Sequence, residues 1–172
     1  SSDFKCRLFS GFIKAVDKKS DASNPFTANE SFSFGECLGE FEAQTEWGPG
    51  WVHSCDFSPS GNCLVFVGHD ATITFVRGRR VQTQFLSHRP FTKVRFIDER
   101  RAVAVGHDCV PYVFTDKDGT WHASPAEKGA DARGLKIPSP DSVVPQKSDA
   151  KPLPTSHQGT ITSLKVHGNK YS

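Results

Sequence analysis

Apolar residues recur along the chain in a fixed set of spacings. Val52, Cys55 and Phe57 stand +3 and +2 apart, Phe91, Val94 and Phe96 repeat that spacing, and Ile161, Leu164 and Val166 carry it again. Each of the first two sets leads into an apolar run, Cys63-Leu64-Val65-Phe66-Val67 and Ala102-Val103-Ala104-Val105. Each run ends in the same turn, Val67-Gly68-His69-Asp70 and then Val105-Gly106-His107-Asp108. Strand-like runs follow at 71–76 and 109–114, and Asp3-Phe4-Lys5-Cys6-Arg7-Leu8-Phe9 aligns with them after its Asp. One unit therefore reads strand, turn, apolar strand, His-Asp turn, strand, and a fourth strand. A period near 40 with four short strands per unit is the arithmetic of a β-propeller blade. The pattern predicts antiparallel strands over 52–57, 63–68 and 71–76, and again over 92–96, 101–106 and 109–114. The two sets should superpose at the offset of the His-Asp turns, or at one residue more.

A blade lies between two others, so its middle strands are buried on both faces and should be apolar throughout. The runs before the two His-Asp turns have that character. Phe57, Leu64, Phe66, Phe96, Val103 and Val105 are the expected core. Asp70 and Asp108 are suited to bond their own backbone two residues on, closing a tight turn, and Ser58-Pro59-Ser60-Gly61-Asn62 is a turn cluster of similar kind.

Composition adds bounds. The 172 residues suit one domain or a piece of one. There is no methionine, and all 14 phenylalanines lie at or before Phe114, which reads as an internal portion of something longer. The longest clean apolar run is far too short for a membrane helix of roughly 20 residues, and no secretory leader opens the sequence. A net charge of +2 gives no argument for nucleic acid or an acidic membrane surface. Five cysteines without a Cys-x-x-Cys pair argue against a zinc site or a disulfide framework and for a reducing compartment. Two insertions break the rhythm. The first, at about 11–33, includes Lys18-Lys19-Ser20-Asp21-Ala22-Ser23-Asn24-Pro25 and reads as polar and mobile. The second, at 124–156, holds six of the eleven prolines and is expected to project without regular helix. Its apolar anchors are Leu135, Ile137, Val143 and Val144.

Gly35-Glu36-Cys37-Leu38-Gly39-Glu40-Phe41, followed by Trp51-Val52-His53-Ser54-Cys55-Asp56-Phe57, resembles a WD-repeat outer strand and the inner strand of the next blade. Phe9-Ser10, Val76-Arg77 and Phe114-Thr115 stand where the Trp-Asp pair usually ends the third strand. That departure, with Asp3 to Ser10, Phe12-Ile13-Lys14 and Gly106-His107-Asp108-Cys109, resembles the WD-repeat subunit of the actin-related protein 2/3 complex, which nucleates branched actin filaments. The resemblance implies an all-β portion of a WD-repeat propeller. It divides the chain into the end of one blade (1–42), full blades at 43–86 and 87–123, the proline-rich insertion (124–156) and the first strand of another blade (157–172). It implies a non-catalytic scaffold in the cytoplasm and cytoskeleton, with no cofactor. The implied partners are the other subunits of that complex, with the actin filament and nucleation-promoting activators beside them, and neither nucleic acid nor membrane. The alternative is a generic WD-repeat adaptor that docks peptides or ubiquitin-pathway partners.

Candidate chemistry has a structural reading at each point. His69-Asp70 and His107-Asp108 have the residue types of a proton relay or a metal site, but they recur at the repeat period, as turns do. His53, Cys55 and Cys63 supply three zinc-ligand types without zinc spacing, and core packing is the preferred reading. Ser58 and Ser60 lack the strained context of a nucleophile. Arg79 and Arg80, with Lys93, Arg95, Arg100 and Arg101, read first as charges guarding a strand edge and second as a surface for an acidic partner. Trp47 and Trp51 read as packing between blades or as a partner-binding hot spot, packing being preferred.

Overall fold

The structure is a computed structural model that describes residues 1–17, 24–27, 32–86, 89–126, 159–167 and 170–171. In chain order its strands are β1 (Cys6–Phe9), β2 (Cys37–Phe41), β3 (Val52–Phe57), β4 (Leu64–Gly68), β5 (Thr72–Arg77), β6 (Arg80–Phe85), β7 (Phe91–Asp98), β8 (Arg101–Gly106), β9 (Tyr112–Lys117), β10 (Thr120–Pro125), β11 (Val166–His167) and β12 (Lys170–Tyr171). β3 to β6 and β7 to β10 are antiparallel four-stranded meanders, β1 pairs with β2, and β11 pairs with β12. The sheets stack with the first strands β3 and β7 side by side. This is the architecture of consecutive β-propeller blades, all-β and four-stranded.

The apolar runs form strands buried on both faces because the alternation of side chains sends them into two different cores. From β4, Leu64 and Phe66 enter a cluster with Cys6, Ala43 and Val76, against which Phe41 packs. Val65 and Val67 enter another with Ile73, Phe75, Phe91, Val94, Phe96, Phe114 and Trp121. From β8, Ala102 and Ala104 join that second cluster, while Val103 and Val105 meet Ile97 and Leu164 in a third. Each core thus lies between consecutive sheets. Each of the valine, leucine, isoleucine and phenylalanine side chains fully removed from water contributes about 1.5–3 kcal/mol.

The repeat is kept at the level of register. Leu64 opposite Val76 and Val65 opposite Phe75 recur in the second meander as Ala102 opposite Phe114 and Val103 opposite Val113. The first strands are displaced by one position more, since Cys55 opposes Phe66 and Val94 opposes Ala104. The turn before β4 is therefore one residue longer than the turn before β8.

Four expectations are corrected. The third strand of the second meander runs Tyr112–Lys117 rather than 109–114. Cys109 sits in the turn at φ +59°, and Pro111 occupies the position of Ile73 without an N–H to donate. Phe57 is 39% exposed, whereas its counterpart Phe96 is 6% exposed. The face of Phe96 meets a four-stranded sheet, while that of Phe57 meets the two-stranded β1–β2 sheet and Phe26, edge-on at 6.0 Å. Asn24 and Pro25, read as mobile, make defined contacts, Pro25 lying beside Gly78. Asn24 accepts from the Phe26 backbone at 2.9 Å, and the Phe26 ring packs against Phe41 as well as Phe57. The remaining residues of that polar stretch, 18–23, lie outside the described residues. Along the third recurrence of the spacing, only Val166–His167 is in a ladder. Before it, Ile161 donates to the Gly106 carbonyl at 3.1 Å and Leu164 is buried in the third core.

Candidate functional site

The two Gly-His-Asp turns have a common construction. Asp70 accepts from the Gly50 backbone N–H at 3.1 Å and from the Thr72 hydroxyl at 2.7 Å. Asp108 accepts from the Arg89 backbone N–H at 3.2 Å. Each aspartate therefore ties its turn to the segment just before the first strand of its own sheet, instead of to its own backbone two residues on. The glycines make room for this approach. A Cβ on Gly50 would lie 2.6 Å from the Asp70 nitrogen, and one on Gly106 would lie 2.3 Å from the Pro90 carbonyl oxygen. The histidines take separate partners. His69 donates its backbone N–H to the Trp51 carbonyl at 2.8 Å, and its Nδ1 meets His53 Nε2 at 3.0 Å. His107 bonds Thr160 Oγ1 at 3.2 Å. Burial first, and the neighbouring His69 second, push the His53 imidazole below its ordinary pKa.

The three zinc-ligand types do not converge. Cys63 belongs to the core shared with the β7–β10 sheet, where burial pushes its thiol up to about 11. Cys55 projects from the opposite face, and a hydrogen-bonding contact with Cys6 holds the Cys55 thiol down at about 6. Among the described residues no group of three or more His, Cys, Asp or Glu side chains is placed to hold a metal ion, and no helix is long and apolar enough to cross a membrane.

Trp47 is 86% exposed, and Trp51 is half-exposed with its ring tilted over His69 at 5.7 Å. Trp51, His69 and His53 form an open aromatic rim at the first His-Asp turn, the two histidine rings lying 5.1 Å apart. The basic stretch does not form one patch. Arg79 and Arg80 are exposed at the turn into β6, and Arg101 is paired with Asp98 at 2.6 Å, whereas Lys93 and Arg95 stand on the inner strand β7. Leu135, Ile137, Val143 and Val144 lie outside the described residues.

Sequence reasoning missed the polar ties between sheets. Asp56 accepts from the Phe96 backbone at 2.9 Å, and Ser54 accepts from that of Val94 at 3.4 Å. Glu99 accepts from the backbone and hydroxyl of Ser60 at 2.5 and 2.8 Å, and Gln82 accepts from the Trp121 backbone at 3.2 Å. Every pair is 39 or 40 residues apart, one repeat length, and that offset is the signal that could have found them.

No protein-family profile matches the chain. It is 40% identical over 127 residues to actin-related protein 2/3 complex subunit 1A-B of Xenopus laevis, and 40% identical over 127 residues to subunit 1A of Arabidopsis thaliana. It is 28% identical over 127 residues to subunit 1 of Schizosaccharomyces pombe. Each comparison covers 70% of this chain and 32% of the relative. The chain spans about a third of the length of the curated relatives it matches.

Proposed function

We propose that this chain, a partial homologue of the actin-related protein 2/3 complex subunit 1 proteins, is a stretch of the propeller scaffold of an actin-nucleating complex. The observation that carries this reading is 40% identity over 127 residues to a frog and a plant protein of that name. A scaffold needs rigid surfaces. Cores shared between consecutive sheets, with polar ties one repeat apart, make neighbouring blades mutually dependent and so resist relative motion. The work is mechanical and non-catalytic, in the actin cytoskeleton of the cytoplasm. The blades at 43–86 and 87–123, with the flanking pieces 1–42 and 157–172, hold edges and loops toward other subunits. Trp47 and Trp51, Arg79 and Arg80 are the partner-facing candidates on the propeller. The insertion read at 124–156, whose first two residues Ser124 and Pro125 belong to β10, is through Leu135, Ile137, Val143 and Val144 the candidate for actin filaments or activators.

Reconstitution tests both levels of the reading. A complex that assembles and nucleates fully without the full-length subunit overturns the scaffold role. Deleting residues 126–154 should leave assembly intact and lower actin branching. Unchanged branching, or loss of assembly, overturns the role given to the insertion.

A further inference from the structure

The junction between the two four-stranded sheets and the junction after them are built from opposite chemistry. On β3, Ser54 and Asp56 present oxygens that accept from the backbone N–H groups of Val94 and Phe96 on the next inner strand. By the register, the counterparts of Ser54 and Asp56 on β7 are Lys93 and Arg95. Cationic side chains have no lone pair to accept a backbone N–H, so the tie cannot be repeated with the following segment, 161–167. A cleft of about 570 Å³ opens there instead, lined by Lys93 and Arg95 on one side and by Thr162, Ser163, Lys165 and His167 on the other. Among the described residues, Asp56 is the only carboxylate in its lining. Arg95 is held in place by the Cys55 carbonyl at 3.2 Å, with Asp56 at 3.8 Å. Among the described residues, neither Lys93 nor Lys165 has a carboxylate within ion-pair distance.

We propose that this inner-strand cleft binds a soluble phosphate-class anion between Lys93, Arg95 and Lys165. The donor set fits such a ligand: two lysines act as point charges, a guanidinium prefixed by its carbonyl contact offers a fork, and hydroxyls complete the rim. An anion there takes the place that Ser54 and Asp56 fill at the preceding junction, joining β7 to the next segment through charge-assisted bonds. This goes beyond the scaffold reading and does not depend on which subunits the protein meets.

The test is calorimetric titration of the full-length protein, in its native assembly, with tripolyphosphate at constant ionic strength. Saturable binding of one equivalent is expected. A K93Q/K165Q double variant should bind about tenfold more weakly or worse, while K5Q, which breaks the Lys5–Glu40 pair on β1 and β2, should bind as the parent does. The thermal midpoint of each variant separates loss of the site from loss of the fold, and K93R should retain binding if charge at that position is what matters. Non-saturating binding, or equal weakening by K5Q, overturns the proposal as bulk charge attraction. A glutamate-rich peptide that binds more tightly than tripolyphosphate through the same lysines overturns it in favour of a peptide site. Co-sedimentation with phosphoinositide vesicles that depends on those lysines overturns the assignment to a soluble ligand.

Discussion

Trp121 of β10 lies flat on Phe75 of β5, with ring centroids 4.0 Å apart and ring planes 6° from parallel. The outer strand of one sheet is thereby fastened to the third strand of the sheet before it, and both rings are buried. Trp121 also meets Phe96 edge-on at 5.9 Å, a geometry that adds about 0.5–1.5 kcal/mol beyond the area buried. Trp121→Ala should therefore destabilise the full-length protein by about 3–5 kcal/mol in denaturant unfolding. Trp121→Phe should cost markedly less. A loss under about 1 kcal/mol for the alanine variant would show that the junction relaxes around the missing ring.

The glycines beside the His-Asp turns give a contrast within one protein. Gly50→Ala and Gly106→Ala push a Cβ against backbone atoms at 2.6 and 2.3 Å. Backbone cannot yield as a flexible side chain can, so each should cost about 1–3 kcal/mol. Gly11→Ala meets nothing within 4 Å and should stay within about 0.5 kcal/mol of the parent. Equal melting temperatures for all three variants would remove the close approach from the account.

Much of this was legible in the sequence. The +3, +2 spacing and the repeated Gly-His-Asp located the strands and the two-faced burial of 63–67 and 102–105, because both depend on local alternation. Pro111 was visible, but its effect on the start of β9 requires knowing that it falls where Ile73 donates. The exposure of Phe57 was not legible, because it depends on how many strands face it. Phe26, which packs against Phe41 and Phe57, was concealed by the polar residues around it. The ties from Asp56 to Phe96 and from Glu99 to Ser60 join residues one repeat apart, and only stacked sheets bring them together.

Asp56 tests those ties. Asp56→Ala leaves the Phe96 N–H without its 2.9 Å acceptor, at a cost of about 1–3 kcal/mol. Asp56→Asn keeps an oxygen in place and should recover most of that loss. If asparagine and alanine are equally destabilising, charge pairing with Arg95 outweighs the backbone bond.

Protonation of His53 gives a pH signature. Its imidazole is held below the ordinary value of 6.5 by burial and by His69. The unfolded chain therefore binds this proton more readily than the folded one as pH falls below about 6.5, so the stability it contributes is lost on acidification and regained as pH rises. The melting temperature should fall less between about pH 7.5 and pH 5.5 in His53→Gln than in the parent. An equal fall in both places the acid sensitivity elsewhere.

The central proposal is that this chain is part of a scaffold subunit of an actin-nucleating complex, like the relatives it matches. Affinity capture of the tagged full-length protein from its own cells, with quantitative mass spectrometry of what elutes, tests that claim directly. The account predicts recovery of the other subunits of that complex in amounts equal to the bait. Recovery of the bait alone, or with a different stoichiometric set such as a ubiquitin ligase, would contradict it.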